Sequence, residues 1–478
     1  MDIIFEKHKK GKNSYTLPKW RKKEYEVDSG YLRKELNLPE VGEPEIVRHY
    51  LKLSKKNFCI DENMYPLGSC TMKYNPKINE KLGSLKGFAA LHPLAEEKLS
   101  QGALEIIYSL SEYLKTITGF KGVTLSPAAG SHGELVGVML IKKHFEELGE
   151  DRDTIIIPDS AHGTNPATVT MCGFKVREVK SNREGDVDIL ELEKMLDRNV
   201  AAMMLTSPGT TGLFDRNLSL ISEMLRKNGS LFYGDGANLN ATVGKAKFAD
   251  MGFDIMHINL HKTFSTPHGG GGPGSGPVAV AGHLVKYLPL PHIKKKDGFY
   301  TLDYDSGTSI GRIHGFAGNF LVYLRAYIYI RILGAEGLKN VAETAVLNAN
   351  YLLELLKDEY NLPIKRKCMH EFVINDRGFP EGITTDHISK RILDYGFHAP
   401  TVFFPLIIEH SLMIEPTETE SRETLEKFAD TLKMIKKEAF ENPELVLEAP
   451  LTTPVRRVDV VKAARVPVLK WEEDKAEN

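Results

Sequence analysis

From Gly119 to about residue 280 the chain alternates in short steps between apolar runs and amphipathic ones. "TIIIP", "FKVREVK", "AAMMLTS", "LFYGD", "DIMHINL" and "PVAVAG" read as strands, and "GELVGVMLIKKHFEEL", "DILELEKML" and "LSLISEMLRKNG" as helices. Short strands without polar alternation have both faces buried, and strands joined through helices run parallel. The pattern therefore specifies an α/β fold: a mostly parallel sheet covered by helices.

Around this block the sequence divides into further pieces. Residues 1–75 read as an N-terminal arm with little regular pattern. The large α/β domain then spans 76–334, entered through "LAEEKLSQGALEIIYSLSEYLKTITG", which predicts one long amphipathic helix stopped at Gly119. A small α+β domain follows over 335–441. Its helices are "AETAVLNANYLLELLKDE", "TTDHISKRILDYG" and "SRETLEKFADTLKMIKKEAFE", and its strands "EFVIN" and "LMIEP". Residues 442–478, with prolines at intervals, read as an extended tail.

Composition excludes several classes of function. Of 478 residues, 42% are hydrophobic and 26% charged, and the net charge is −2, so no charge imbalance points to nucleic acid or a membrane surface. Met1–Lys23 is locally basic, with eight Lys/Arg against two acids, and reads as a solvated arm. Cys59, Cys70, Cys172 and Cys368 form no CxxC pair, which points to a reduced, cytoplasmic protein without a zinc site. No apolar run reaches bilayer length and the first residues lack a signal-peptide core, so neither membrane nor export is expected.

In a parallel sheet covered by helices, ligands bind beyond the C-terminal ends of the strands. The chemically loaded stretches fall there: "SPAAGSHGE", "PDSAHGTNPA", "TSPGTTG", "YGDGAN" and "NLHKTF". Small residues around Ala129, Gly130 and Ser131 lead into a helix, whose free N–H groups suit a phosphate or merely a cap. Asp235 ends a strand; it either caps the next element or stays ionised against a protonated heterocyclic nitrogen. Ala237, two residues on, faces the same side in extended chain and offers a methyl to a flat ring. Lys262 is the sharpest candidate: in a partly apolar pocket a lysine amine becomes nucleophilic enough to condense with an aldehyde. The glycines after it let the backbone approach a flat ligand.

Three patterns compete. His257 and His261 have the i, i+4 spacing of helical zinc ligands, but "DIMHINL" reads as a strand and no HExxH acid lies between them. Gly269, Gly271 and Gly274 have dinucleotide-fingerprint spacing without the strand, helix and acid that the motif needs. "HGGGG" (residues 268–272) and "GTSIG" around Ser309 imitate a serine hydrolase's oxyanion loop and nucleophile elbow, yet no helical pattern begins after Ser309.

A phosphate-type loop, a ring-facing aspartate and a lysine followed by glycines together resemble fold-type I pyridoxal 5'-phosphate (PLP) enzymes. "MYPLGSCTMKYNP", "SPAAGSHGEL", "PDSAHGTNPATV", "LTSPGTTGLFD", "YGDGANLNA", "NLHKTFSTPHGGGGPGSGP" and the tail's "RRVDVVKAARVP" narrow the resemblance. Over nearly its whole length the sequence is similar to the P-protein family, the glycine decarboxylases of the glycine cleavage system, in their form split over two chains.

That resemblance implies a PLP-dependent enzyme, a glycine dehydrogenase (aminomethyl-transferring), that releases CO2 from glycine and passes the aminomethyl group to the lipoyl group of H-protein. Lys262 would carry the cofactor covalently, Asp235 would pair with the pyridine nitrogen, and His162 and Ala237 would flank the ring. Backbone at Ala129, Gly130 and Ser131 would hold the phosphate, with His261 adding a contact, and Thr210 would meet the ring hydroxyl. Arg312 is a candidate for the glycine carboxylate. The implied partners are a first subunit, in an α2β2 heterotetramer, and lipoylated H-protein. The alternatives are another fold-type I decarboxylase or aminotransferase and, more remotely, a serine hydrolase using Ser309.

Overall fold

The computed structural model describes residues 3–12, 27–34, 36, 38–92, 95–269, 274–316 and 318–470. They form two compact units, Met1–Cys59 with Thr453–Val455, and Ile60–Thr452 with Arg456–Asn478.

The second unit is built on a seven-stranded sheet. Its strands are β1 (Gly122–Thr124), β2 (Thr154–Pro158), β3 (Lys175–Val179), β4 (Val200–Thr206), β5 (Leu231–Gly236), β6 (Ile255–Ile258) and β7 (Val278–Val280). Their order is β1-β7-β6-β5-β4-β2-β3. The five strands from β3 to β6 run parallel; β7 runs antiparallel to both β6 and β1. Alternate residues of each central strand feed different cores. Ile156, Met203, Leu205, Phe232, Met256 and Ile258 enter one, while Ile155, Ile157, Met204, Tyr233 and Ile255 enter the other. That is why these strands carry no polar alternation.

The predicted helices are present at Gly130–Leu148, Ile189–Met195 and Leu218–Asn228. The predicted entry helix is shorter at its start, running from Gln101 to Thr118 behind a single turn at Glu97–Leu99. Glu97 and Gln101 are drawn instead to a hairpin that the sequence did not reveal, β8 (His292–Lys296) and β9 (Phe299–Asp303). Glu97 Oε1 accepts the Leu302 N–H at 2.7 Å, and Gln101 bonds both backbone groups of Tyr300 at 2.8 Å.

One continuous element, Phe320–Leu356, leads out of the sheet region, interrupted at Gly334 (φ 61°, ψ −168°). Its first part packs on the large sheet through Tyr323, Ala326 and Tyr329; its last turns pack through Leu352, Leu353 and Leu356 on a second core. That core lies under the three-stranded antiparallel sheet β10 (Phe372–Asn375), β12 (Ser411–Ile414) and β11 (Thr401–Val402). Helices Thr385–Asp394 and Arg422–Glu441 cover it.

Residues 60–75 depart from the expectation of a patternless arm. Leu67 forms an antiparallel bridge with Ile414, and Gly68 lies so close to Met413 that a Cβ there would sit 2.1 Å from its Cγ. In the first unit the arm also holds a helix, Glu43–Ser54, started by Pro44 and by Glu45 accepting the Gly42 N–H at 3.0 Å.

Candidate active site

The C-terminal ends of β4, β5 and β6 open into a cavity of about 450 Å3, lined by Ala129, Gly130, Ser131, His162, Thr210, Asp235, Ala237, His261 and Lys262. All nine residues singled out from the sequence as cofactor contacts meet there. They come from five separate segments, each delivered by a strand end.

Lys262 is not on a strand. After β6 the chain turns through one helical turn, Leu260–Thr263, because Leu260 and Phe264, four residues apart, are both fully buried. The turn aims the lysine across the cavity, where Nζ donates to the Ser69 carbonyl at 2.6 Å. Ser69 adopts a left-handed backbone (φ 62°) and belongs to a turn clamped on several sides. Its N–H donates to Glu371 Oε2 at 2.7 Å, the Gly68 carbonyl accepts from Thr401 Oγ1 at 2.8 Å, and Thr71 Oγ1 donates to Glu415 Oε1 at 2.5 Å. Cys70 Sγ faces His268 Nε2 at 3.2 Å.

Asp235 sits beside His257 on the neighbouring strand, Oδ1 to Nε2 at 3.2 Å, and accepts the Ala237 N–H at 2.9 Å. Tyr233 OH meets His257 Nδ1 at 2.8 Å, completing a buried chain from tyrosine to aspartate. Burial works to raise the Asp235 carboxyl, but His257, the Ala237 amide and Lys262 outweigh it and hold the acid below its usual range. Asp235 is therefore an ionised carboxylate in a nearly waterless position. His257 is Asp235's partner on the strand, and His261 lies on the following turn, so the two do not share a helix face.

At one end of the cavity the Gly130–Leu148 helix begins. Gly276 N donates to the Pro127 carbonyl at 3.1 Å, and a Cβ on Gly276 would sit 2.0 Å from the Ala129 oxygen. Only glycine allows these two backbones to touch, and the contact fixes the loop that presents the first helical amides. His261 Nδ1 accepts the Ser275 N–H at 3.3 Å. Burial, then Lys262, pushes its pKa down to about 3, so the ring is neutral with its proton on Nε2.

Arg312 does not join the cavity. It is exposed, donates to the Gly315 carbonyl at 3.1 Å and stacks on Tyr304. Ser309 is structural: Oγ donates to the Leu288 carbonyl at 2.7 Å and accepts the Gly311 N–H, and no histidine hydrogen-bonds to it among the described residues. The serine-hydrolase reading fails on that geometry. Of the glycine-rich run, residues 270–273 lie outside the described residues. They include Gly271 and most of "HGGGG".

Several lining residues escaped the sequence reading: Ser69, Cys70, Glu134, Thr164, Thr206, Asn238, His257, Asn259 and His268. One carried a legible signal. Glu134 lies on the same helical stripe as Gly137, Val138 and Ile141, all buried, and an acid on a buried stripe needs a reason.

The donor set fits PLP. An ionised aspartate, a lysine amine and a helix N-terminus converge, and the buried Asn259 Oδ1 and Glu134 Oε2 at the cavity have no partner among the described residues.

Two family models match the chain: glycine dehydrogenase, C-terminal domain, over residues 341–448, and aminotransferase class-V over 135–271. It is 54% identical to the probable glycine dehydrogenase (decarboxylating) subunit 2 of Caldanaerobacter subterraneus subsp. tengcongensis over 98% of both chains. It is 52% identical to that of Thermotoga petrophila over 98% of this chain and 99% of the other. The chain belongs to the glycine dehydrogenase (decarboxylating) subunit 2 family. Among solved structures, a glycine decarboxylase (P-protein) in inhibitor-bound form superposes with a TM-score of 0.73 at 20% identity, covering 85% of this chain and 93% of that one. An alanine–glyoxylate aminotransferase from Nostoc gives 0.58 at 16% identity, covering 78% and 95%. Both share the fold-type I architecture. Membership in this family makes the chain a PLP-dependent enzyme of glycine decarboxylation. Among the described residues, no helix is long and apolar enough to cross a membrane.

Proposed function

We infer that the chain is the PLP-bearing subunit of a glycine decarboxylase that passes the aminomethyl group of glycine to a lipoyl disulfide on H-protein. The observation that carries the reading is the convergence of Lys262, the ionised Asp235 and the Gly130 helix start in one cavity. Bound there, the cofactor supplies an electron sink for the pair released when the carbon–carboxylate bond breaks. In the balanced reaction that bond breaks and CO2 leaves. The aminomethyl carbon then bonds one lipoyl sulphur, the S–S bond opens, and the second sulphur takes a proton. No nicotinamide is consumed.

The chain's own residues take distinct parts. Lys262 would carry the cofactor through its amine, which in this structure donates to the Ser69 carbonyl. Asp235 would keep a proton on the ring nitrogen, because a carboxylate held ionised beside His257 favours a cation opposite it. Amides at Gly130 and Ser131, with His261 Nε2–H, receive the phosphate. Thr210 has its hydroxyl proton committed to the Ser160 carbonyl, so its oxygen remains to accept from the ring hydroxyl. His162 and Ala237, which line the cavity, would flank the ring.

A partner first subunit, in an α2β2 assembly, is supported by apolar side chains left in water. In the first unit Tyr31, Leu36, Leu38, Tyr50 and Leu51 are all exposed, and in the tail Val468 and Leu469 are 86% and 89% exposed. Four free cysteines agree with a reducing cytoplasm.

Borohydride reduction of the cofactor-loaded chain followed by peptide mapping tests the reading, and the pyridoxyl group is expected on Lys262. Labelling of another lysine, or none, overturns it. Glycine–bicarbonate exchange should appear only when H-protein and the first subunit are both added.

A further inference from the structure

Asn319 stands at the N-cap of the Phe320–Leu356 helix, yet its side chain takes no amide of that helix. Asparagine is favoured at N-caps because its side-chain oxygen accepts such an amide. Here the side chain is engaged elsewhere. Nδ2 donates to the Ala128 carbonyl at 3.0 Å and to the Gly274 carbonyl at 2.6 Å. The Asn319 backbone is held in turn: its N–H donates to Tyr323 OH at 2.9 Å, and that fully buried hydroxyl donates to the Leu125 carbonyl.

Ala128 and Gly274 belong to the two backbone segments that meet at the start of the Gly130–Leu148 helix, where Gly276 N–H donates to the Pro127 carbonyl at 3.1 Å. An anion held by backbone amides needs nearby carbonyls turned away, because their oxygens repel the charge that the amides attract. Four carbonyls of this loop each have a donor drawing them off. Tyr323 takes Leu125, Gly276 takes Pro127, Asn319 takes Ala128, and the Gly133 N–H takes Ala129 at 2.9 Å. Ala129, Gly130 and Ser131 line the cavity, whereas Asn319 is not part of the lining, so the carbonyl it holds is turned from the cavity. Across a trans peptide the following N–H, that of Ala129, points the other way.

We propose that Asn319 is a positioning residue for the cofactor's phosphate. By holding the Ala128 and Gly274 carbonyls together it keeps both oxygens off the anion and keeps the amides from Ala129 to Ser131 aimed at it. The proposal rests on the reading of the Gly130 helix start as the phosphate end of the cofactor site. The position calls for a side chain with two donors: both neighbours are acceptors, and a carboxylate of the same shape would oppose both.

The test separates the phosphate from the rest of the cofactor. The cofactor-free chain is titrated with PLP and with pyridoxal, which has the same ring and aldehyde but no phosphate, and binding is followed by absorbance. The wild type is expected to prefer PLP. Asn319→Ala should weaken PLP roughly 10–100-fold, the order expected when two carbonyls lose their donors, and leave pyridoxal nearly unchanged. Asn319→Ser, which keeps one donor, should fall between, and it carries the comparison if urea unfolding shows that Asn319→Ala does not fold. An unchanged preference in the folded variants, or an equal loss for both ligands, overturns the proposal, since a general loosening of the fold would weaken both alike. A wild type that binds the two ligands equally overturns the phosphate reading of the helix start and the proposal with it. The position of the pyridoxyl label on Lys262 is a separate outcome.

Discussion

The cavity has two unlike walls. One is made by the ends of β4, β5 and β6, where Asp235 is charged and matched at short range by His257 and the Ala237 amide. The other is the Gly68–Thr71 turn, held by Glu371 and Glu415, both fully buried. Burial, then Glu415, pushes Glu371 up to about 8; burial raises Glu415 to about 7. The sheet wall keeps a carboxylate ionised by surrounding it with donors, whereas the turn wall uses carboxyls that prefer to stay neutral. In the proposed reaction the first serves the chemistry. The second serves placement: it sets the carbonyl on which the Lys262 amine rests.

The largest expected effect strikes where the walls meet. Lys262→Ala should lose covalent cofactor and lower decarboxylation by roughly 10⁴-fold, measured by borohydride labelling and exchange rate. Lys73, also buried, cannot substitute, because it is committed to Glu418 at 2.6 Å and to the Thr263 carbonyl at 2.8 Å.

Asp235→Asn breaks the sheet wall alone. The cofactor should still bind, and turnover should fall by roughly 10²–10³-fold, the order lost with one preorganised electrostatic group. Turnover near wild type would remove Asp235 from its role.

Glu371→Leu breaks the turn wall. It orphans the Ser69 N–H and should cost about 1–3 kcal/mol in urea unfolding, with a weaker grip on Lys262 seen as faster cofactor loss. Glu371→Gln should cost less.

The pH dependence separates the walls further. Glu371 and Glu415 have folded pKa values above the unfolded value of 4.5, so their contribution to stability is fully present below 4.5 and is lost as pH rises through about 7 and 8. Asp235 has the opposite sign: its contribution holds above the unfolded aspartate range and is lost only in acid. Urea midpoints should therefore decline from pH 5 to 8.5, and Glu371→Gln should flatten that decline.

The smallest effect is a control outside the cavity lining. Ser309→Ala should leave exchange activity unchanged and cost about 1 kcal/mol, the value of one hydrogen bond to the Leu288 carbonyl.

The sheet wall was legible from the chain and the turn wall was not. Asp235, Ala237 and Lys262 lie at the ends of apolar runs whose length and spacing declare strands, and strand ends in such sheets gather at one edge. Even there the local detail needed the fold: Lys262 sits on a helical turn because Leu260 and Phe264 both seek the core. Ser69 and Cys70 lie in a segment without periodicity, and their neighbours Glu371, Thr401 and Glu415 are more than 300 residues away. The strand pattern around His257 argued against a zinc pair, but its actual partner emerged only from the pairing of β5 and β6, which sets it opposite Asp235.

What the sequence by itself determined is the class of fold and the chemical groups delivered to its ligand edge. Strand and helix periodicity are local properties, and the residues after each strand go wherever the strand ends. Only the tertiary structure decided the partners of those groups: which carboxyl is ionised, which is neutral, and where the Lys262 amine rests. Protonation depends on burial and on charges a few ångströms away, and here those charges belong to segments distant in the chain.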